Sequence, residues 1–260
     1  MPVHLRALCV ILALSFIVFA FAKTPACAYA MAAADFNRRR NLWIGITLSL
    51  FLAHDFWIFI VLTTVILLLA IPRENNKLAA FFFLLFAAPS FRADIPGLVV
   101  STLFTIDYIR LLAFVILLPA FLDLRREAST PQFGLWLPDK LITAYIVLLF
   151  ALTMAASTFT HALRSGVLYS FLDIFLPYYV ASRLPKKLQD FRDVLSAFVI
   201  AGLVISAIAI FEYARHWLLY AGLDDVLGIN SGMIIYLKRG DDTLRAVASA
   251  GHAIPLGYAI

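Results

Sequence analysis

The chain has 260 residues, of which 63% are hydrophobic and only 14% charged, with Lys+Arg 21 against Asp+Glu 16 and a net charge of +5; its mean hydropathy is +0.93. Soluble domains are about 45–50% apolar and about 25% charged, so this composition cannot supply a water-facing surface. Disorder is equally excluded, because 23 Phe and long Leu/Ile/Val runs collapse or partition into lipid. The expected fold class is all-α, a polytopic transmembrane helical bundle.

Residues 1–30 form an N-terminal hydrophobic segment ahead of a multi-span domain over 31–260. Arg6, the apolar run 8–22 and Ala28-Tyr29-Ala30 resemble the three regions of a cleaved signal peptide. Met31 as the true start and an additional helix with its N-terminus outside are the alternatives, and the sequence leaves all three open. Apolar runs then predict helices near 42–54, 56–72, 78–90, 108–124, 141–158, 166–182 and 193–213. The runs at 42–54 and 78–90 are short, the second ending at Pro89. A last apolar stretch begins near 246 and is still running at Ile260, an ending expected of a fragment.

Cations cluster between these runs at Arg38–Arg40, Arg73 with Lys77, Arg125-Arg126, and Arg183 with Lys186, Lys187 and Arg192. The positive-inside rule places all four clusters in the cytoplasm and everything after Glu212 outside. No basic stripe is interleaved with exposed aromatics, so nucleic acid is not an expected partner. Cys9 and Cys27 make neither a disulfide framework nor a metal site, and no phosphate loop, His-Glu-x-x-His or nucleophile elbow occurs.

Chemistry is therefore sought in the outside segment 212–258. Glu212, Arg215 and His216 are spaced i, i+3, i+4, one face of a helix, with Tyr213, Trp217 and Tyr220 around them. The plain alternative is an aromatic belt with charges at headgroup level. After a Gly- and Asp-containing loop, Arg245 and His252 stand seven apart, two turns on one face if that segment is helical. A guanidinium at a membrane surface suits a diphosphate, which it binds bidentately while staying charged. Snorkelling of Arg245 to the headgroups is the alternative.

The run Arg-Ala-Val-Ala-Ser-Ala-Gly-His-Ala-Ile-Pro-Leu-Gly-Tyr at 245–258 resembles the Arg…Gly-x-x-His/Asn-Pro…Gly signature of the O-antigen ligase and polymerase superfamily. Residues 211–220, Phe-Glu-Tyr-Ala-Arg-His-Trp-Leu-Leu-Tyr, are similar to the approach to that signature in a branch linked to exopolysaccharide clusters. The resemblance implies a GT-C-like glycosyltransferase of the bacterial inner membrane, its site on the periplasmic side. The donor would be a glycan on undecaprenyl diphosphate and the acceptor a glycan or lipid, with no metal and no other cofactor. Arg245 and His252 would be catalytic, and Arg215, Glu212 and His216 substrate-binding. Family chains usually carry further spans and a later His motif, so an inactive fragment is one alternative. The other is a permease or flippase-like transporter, for which Arg110, Asp123 and Asp173 are the candidate intramembrane charges.

Overall fold

The computed structural model describes residues 2–97, 102–229, 245–251 and 255–257. Helices dominate in the order α1 (Val3–Tyr29), α2 (Ala33–Leu52), α3 (Phe56–Ala70) and α4 (Lys77–Leu84), then a hairpin of β1 (Arg92–Ile95) and β2 (Phe104–Asp107). The chain continues through α5 (Tyr108–Leu112), α6 (Leu118–Arg126), α7 (Leu137–Ala156), α8 (Phe159–Ala162), α9 (Leu176–Arg183), α10 (Leu188–Arg215) and α11 (Leu223–Leu227). Among the described residues, four helical segments are long and apolar enough to cross a membrane: Val3–Tyr29, Phe56–Arg73, Leu137–Ala156 and Leu188–Arg215. The antiparallel hairpin, with Arg92 opposite Asp107 and Ile95 opposite Phe104, is a departure from the all-α expectation.

Local chemistry sets the boundaries. Asp55 caps α3 by accepting the Trp57 N–H at 2.7 Å, Asn76 caps α4 through Ala79, and Asp107 caps α5 through Arg110 at 2.8 Å. α5 and α6 are the two ends of one helix joined by a π-helical turn, Ala113–Leu117, and α8 and α9 are joined likewise through Leu163–Tyr169 and Phe171–Phe175. Pro119 and Pro177 follow two of these turns. A proline has no N–H to give, and its ring crowds the carbonyl four residues back, here Val115 and Asp173. Widening the preceding turn relieves that crowding without ending the helix.

α10 packs against α1 and α4, α1 and α3 flank α2, and the 113–117 turn lies on α4. Phe19, Phe36, Trp43 and Phe83, all but fully buried, interlock between these helices at centroid distances of 5.6–6.4 Å. α7 differs: of its residues only Asp139 is buried. It touches the bundle chiefly along Phe159–Tyr169, where a Cβ on Gly166 would come within 2.9 Å of the Phe150 main chain. Absence of that Cβ is what lets the two helices meet.

All four basic clusters gather at one end of the bundle, held there by ion pairs. Lys77 meets Asp123 at 2.6 Å, Lys186 meets Glu127 at 2.5 Å, and Arg183 donates to Asp139 at 2.8 Å inside a ring of Phe133, Trp136 and Tyr179. Arg39, expected on a solvated loop, is instead fully buried within α2. Its guanidinium donates to both oxygens of Asp193 on α10, at 2.5 and 2.9 Å, and to Glu74 at 2.8 Å. Arg38 bridges Glu74 and Asp35, and the Asn75 amide donates to Asp35 at 3.0 Å. Burial pushes the Glu74 carboxyl above its ordinary value, and the two arginines pull it back.

α4 stops earlier than its sequence predicts. The apolar pattern runs to Ala88, but the helix ends at Leu84, about 12 Å from its start at 1.5 Å per residue. That is well short of a hydrocarbon core about 30 Å thick. The unwound stretch is nonetheless buried at Ala87, Ala88 and Phe91. Its carbonyls find side-chain donors: the Tyr108 hydroxyl to Leu84 at 2.7 Å, Ser249 to Phe86 at 2.7 Å and, in a bond shared with the Trp43 carbonyl at 2.9 Å, Thr47 to Ala87 at 3.3 Å. A helix can break in an apolar interior only when such partners are supplied.

Two outcomes follow from this packing. Arg39→Met strands the Asp193 and Glu74 carboxylates and is expected to cost about 3–5 kcal/mol, read as a lowered Tm of the detergent-purified protein. Gly166→Leu is expected to cost about 1–3 kcal/mol by forcing α7 off its neighbour, and trypsin then cleaves faster in the 125–140 connection.

Candidate functional site

The described chain beyond α10 is built around Glu212 in the last turns of that helix. The helix ends at Arg215, and His216 takes the left-handed conformation, φ 50° and ψ 40°, that turns the chain back. That turn directs the following residues over the helix end, where the Glu212 carboxylate waits. It accepts the Leu219 N–H at 2.9 Å on one oxygen and the Val247 and Ala248 N–H groups at 2.9 and 2.8 Å on the other. Glu212 is 1% exposed, so the three amides are its solvation. A recess between Glu212, Tyr220, Val247 and Gly251 has about 10 Å³ of room, that of one water molecule.

Residues 245–251 are thus stitched to the bundle twice, through the two amides on Glu212 and through Ser249 on the Phe86 carbonyl of the unwound α4 end. The backbone is bent to permit it. Ala248 sits at φ 46°, a left-handed conformation that costs an L-residue about 1–2 kcal/mol, and Gly251 at φ 78° occupies a position where glycine is free of that cost. The hydrogen bonds to a buried carboxylate offset the strain at Ala248.

Several expectations change on this geometry. Of the three residues at i, i+3, i+4, Glu212 is buried and Arg215 exposed within the last turn of α10, while His216 has left the helix and is exposed. The helix end falls between Arg215 and His216, so the spacing that would align His216 with Glu212 has no helix beneath it. Residues 245–251 are not an α-helix but an irregular strand of chain with one 3-10 turn, Ala248–Ala250, so the two-turn spacing from Arg245 to His252 has no helix beneath it. Arg245 is exposed, two residues ahead of the Glu212-bound amides. His252 lies outside the described residues. The bond from Ser249 to the Phe86 carbonyl is not legible in the sequence, since a main-chain acceptor on a broken helix has no sequence signature.

Arg215 and Arg245 leave two guanidinium groups exposed at this end of the molecule, while the Glu212 carboxylate is occupied by amides. Such an arrangement can receive an anion. Among the described residues, no group of His, Cys, Asp and Glu is placed to hold a metal ion. The charges considered for a permease are paired: Arg110 meets Asp173 at 2.8 Å and stacks 3.8 Å from the Tyr169 ring, and Asp123 meets Lys77. Set against known proteins, the chain matches no family model, no curated protein and no solved structure.

Removing the anchor tests its role. Glu212→Leu leaves three amides without an acceptor, at about 1–3 kcal/mol each. Trypsin is expected to cut after Arg245 faster in this variant, with cleavage after Arg126 at the opposite end unchanged.

Proposed function

We infer that the chain is part of a bacterial inner-membrane glycosyltransferase of the O-antigen ligase or polymerase type. It moves a glycan from undecaprenyl diphosphate to a glycan or lipid acceptor on the periplasmic side. The observation that carries this reading is Arg245: an exposed guanidinium on a segment whose backbone is fixed at Val247, Ala248 and Ser249. Glycosyl transfer from a lipid diphosphate builds negative charge on the departing phosphate oxygens. A positioned, permanently charged fork opposite that charge stabilises the transition state more than the ground state.

In this reading Arg245 takes the diphosphate, Arg215 supplies a second cation, and His252 is the histidine of the 245–258 signature. Glu212 acts as the buried fastening of the segment and touches no substrate. The ion pairs made by Arg110, Asp123 and Asp173 weigh for this reading over a permease, since each pair is neutral as it stands.

Arg245→Ala is expected to lower surface polysaccharide about 100-fold or more in cells that depend on this gene, with membrane insertion unchanged by immunoblot. Arg245→Lys, which keeps charge but loses the fork, restores part of it. Undiminished surface glycan in the alanine variant overturns the reading.

A further inference from the structure

We propose that the cleft between α7 and the 159–183 helix is a binding site for an anionic phospholipid of the leaflet at the basic end. The two helices meet at Gly166 and are tied again at that end, where Asp139 accepts from Tyr178 at 2.7 Å and from Arg183 at 2.8 Å. They leave a recess of about 400 Å³ lined by Thr143, Ile146 and Val147 of α7 and by Phe171 and Phe175 opposite. Phe121 of α6 forms the floor, with Phe171 and Phe175 each 6.0 Å from it. A second recess of about 390 Å³ adjoins it, sharing Phe121, Phe133, Phe175 and Arg125 and reaching the 127–132 connection. Each alone has the size of a ligand pocket.

Charge decides the occupant. Arg125 belongs to both recesses, is exposed, and makes no ion pair among the described residues; its guanidinium lies 5.8 Å from the Phe121 ring centre. The two acids nearest in sequence are both taken, Asp123 by Lys77 at 2.6 Å and Glu127 by Lys186 at 2.5 Å. A cleft that opens sideways along a bare apolar helix and ends on an uncompensated guanidinium matches an acyl chain joined to a phosphate. The acyl chain lies on the phenylalanines, and the phosphate meets Arg125 at headgroup level. Zwitterionic lipid offers the same chain without the net charge, and a second copy of the protein offers no phosphate. The proposal rests on this cleft alone and is independent of the role given to Arg245.

Native mass spectrometry of the delipidated full chain in detergent, titrated with phosphatidylglycerol or phosphatidylcholine of identical acyl chains, tests it. The expected result is phosphatidylglycerol bound about fivefold more tightly. Arg125→Gln is expected to abolish the difference and Arg125→Lys to retain it. Arg126→Gln leaves it intact, because Arg126 does not line the cleft. Val147→Trp, at a side chain 60% exposed and therefore free of folding constraints, fills the cleft and weakens binding of both lipids. Equal affinity for the two lipids, the same loss from Arg126→Gln as from Arg125→Gln, or unaltered binding by Val147→Trp overturns the proposal. So does a two-chain complex that Val147→Trp dissociates with lipid binding unchanged.

Discussion

In hydrocarbon, every main-chain N–H and C=O must find its partner inside the protein, because no water is present to stand in. A straight helix meets that demand by itself, and most of this chain is helix. The informative places are those where it is not. α4 gives up its ladder at Leu84, and the freed carbonyls are taken by Tyr108, Thr47 and Ser249, from three different parts of the sequence. At the end of α10 the demand is reversed: three free N–H groups converge on one carboxylate, Glu212. The two solutions share the segment 247–249, which gives N–H groups to the acid and a hydroxyl to the broken helix. That double use is what sets the backbone on which Arg245 stands.

The sequence makes the helical bundle and its segmentation plain, for reasons of length and apolar content. The predicted segments 56–72, 108–124 and 193–213 lie within a few residues of α3 with its final turn, of the α5–α6 helix and of α10. What it hides is set by distant partners. The Phe- and Leu-rich run 78–90 reads as helix throughout, and nothing local announces a stop at Leu84; the stop depends on donors far along the chain. Glu212 is visible as an acid near a helix end, but backbone amides carry no side-chain signature, so its fastening role is not readable. Arg39 is masked by its neighbours, since three consecutive arginines look like one solvated face. Only the fold shows that the middle one turns inward while Arg40 stays at the surface beside Asn41.

Prolines show how local chemistry survives in a long helix. Pro119 and Pro177 stand inside the runs 108–124 and 166–182, which the sequence predicts as unbroken helices, although neither can give an N–H to the ladder. The structure absorbs each by a widened turn just before it and carries on to the basic end. The same widened helix brings Tyr169 and Asp173 onto Arg110, whose guanidinium also donates to the Thr105 carbonyl at 2.7 Å. The hairpin is therefore tied to the bundle by a cation that would otherwise be costly at a helix start, and the aromatic face beneath it contributes to that tie.

The ion cluster around Arg39 also has a chronology. Glu74 lies 35 residues downstream of Arg39 and Asp193 lies 154 residues downstream. At about 5–20 residues per second, the second acid leaves the ribosome about 8–30 s after the arginine. Through that interval the growing chain holds a guanidinium whose final partner has not yet been made. Glu74, delivered early on the turn after α3, is its companion during synthesis, and Asp193 joins when α10 is threaded into place. The nearer acid serves the nascent chain, and the farther one closes the finished bundle.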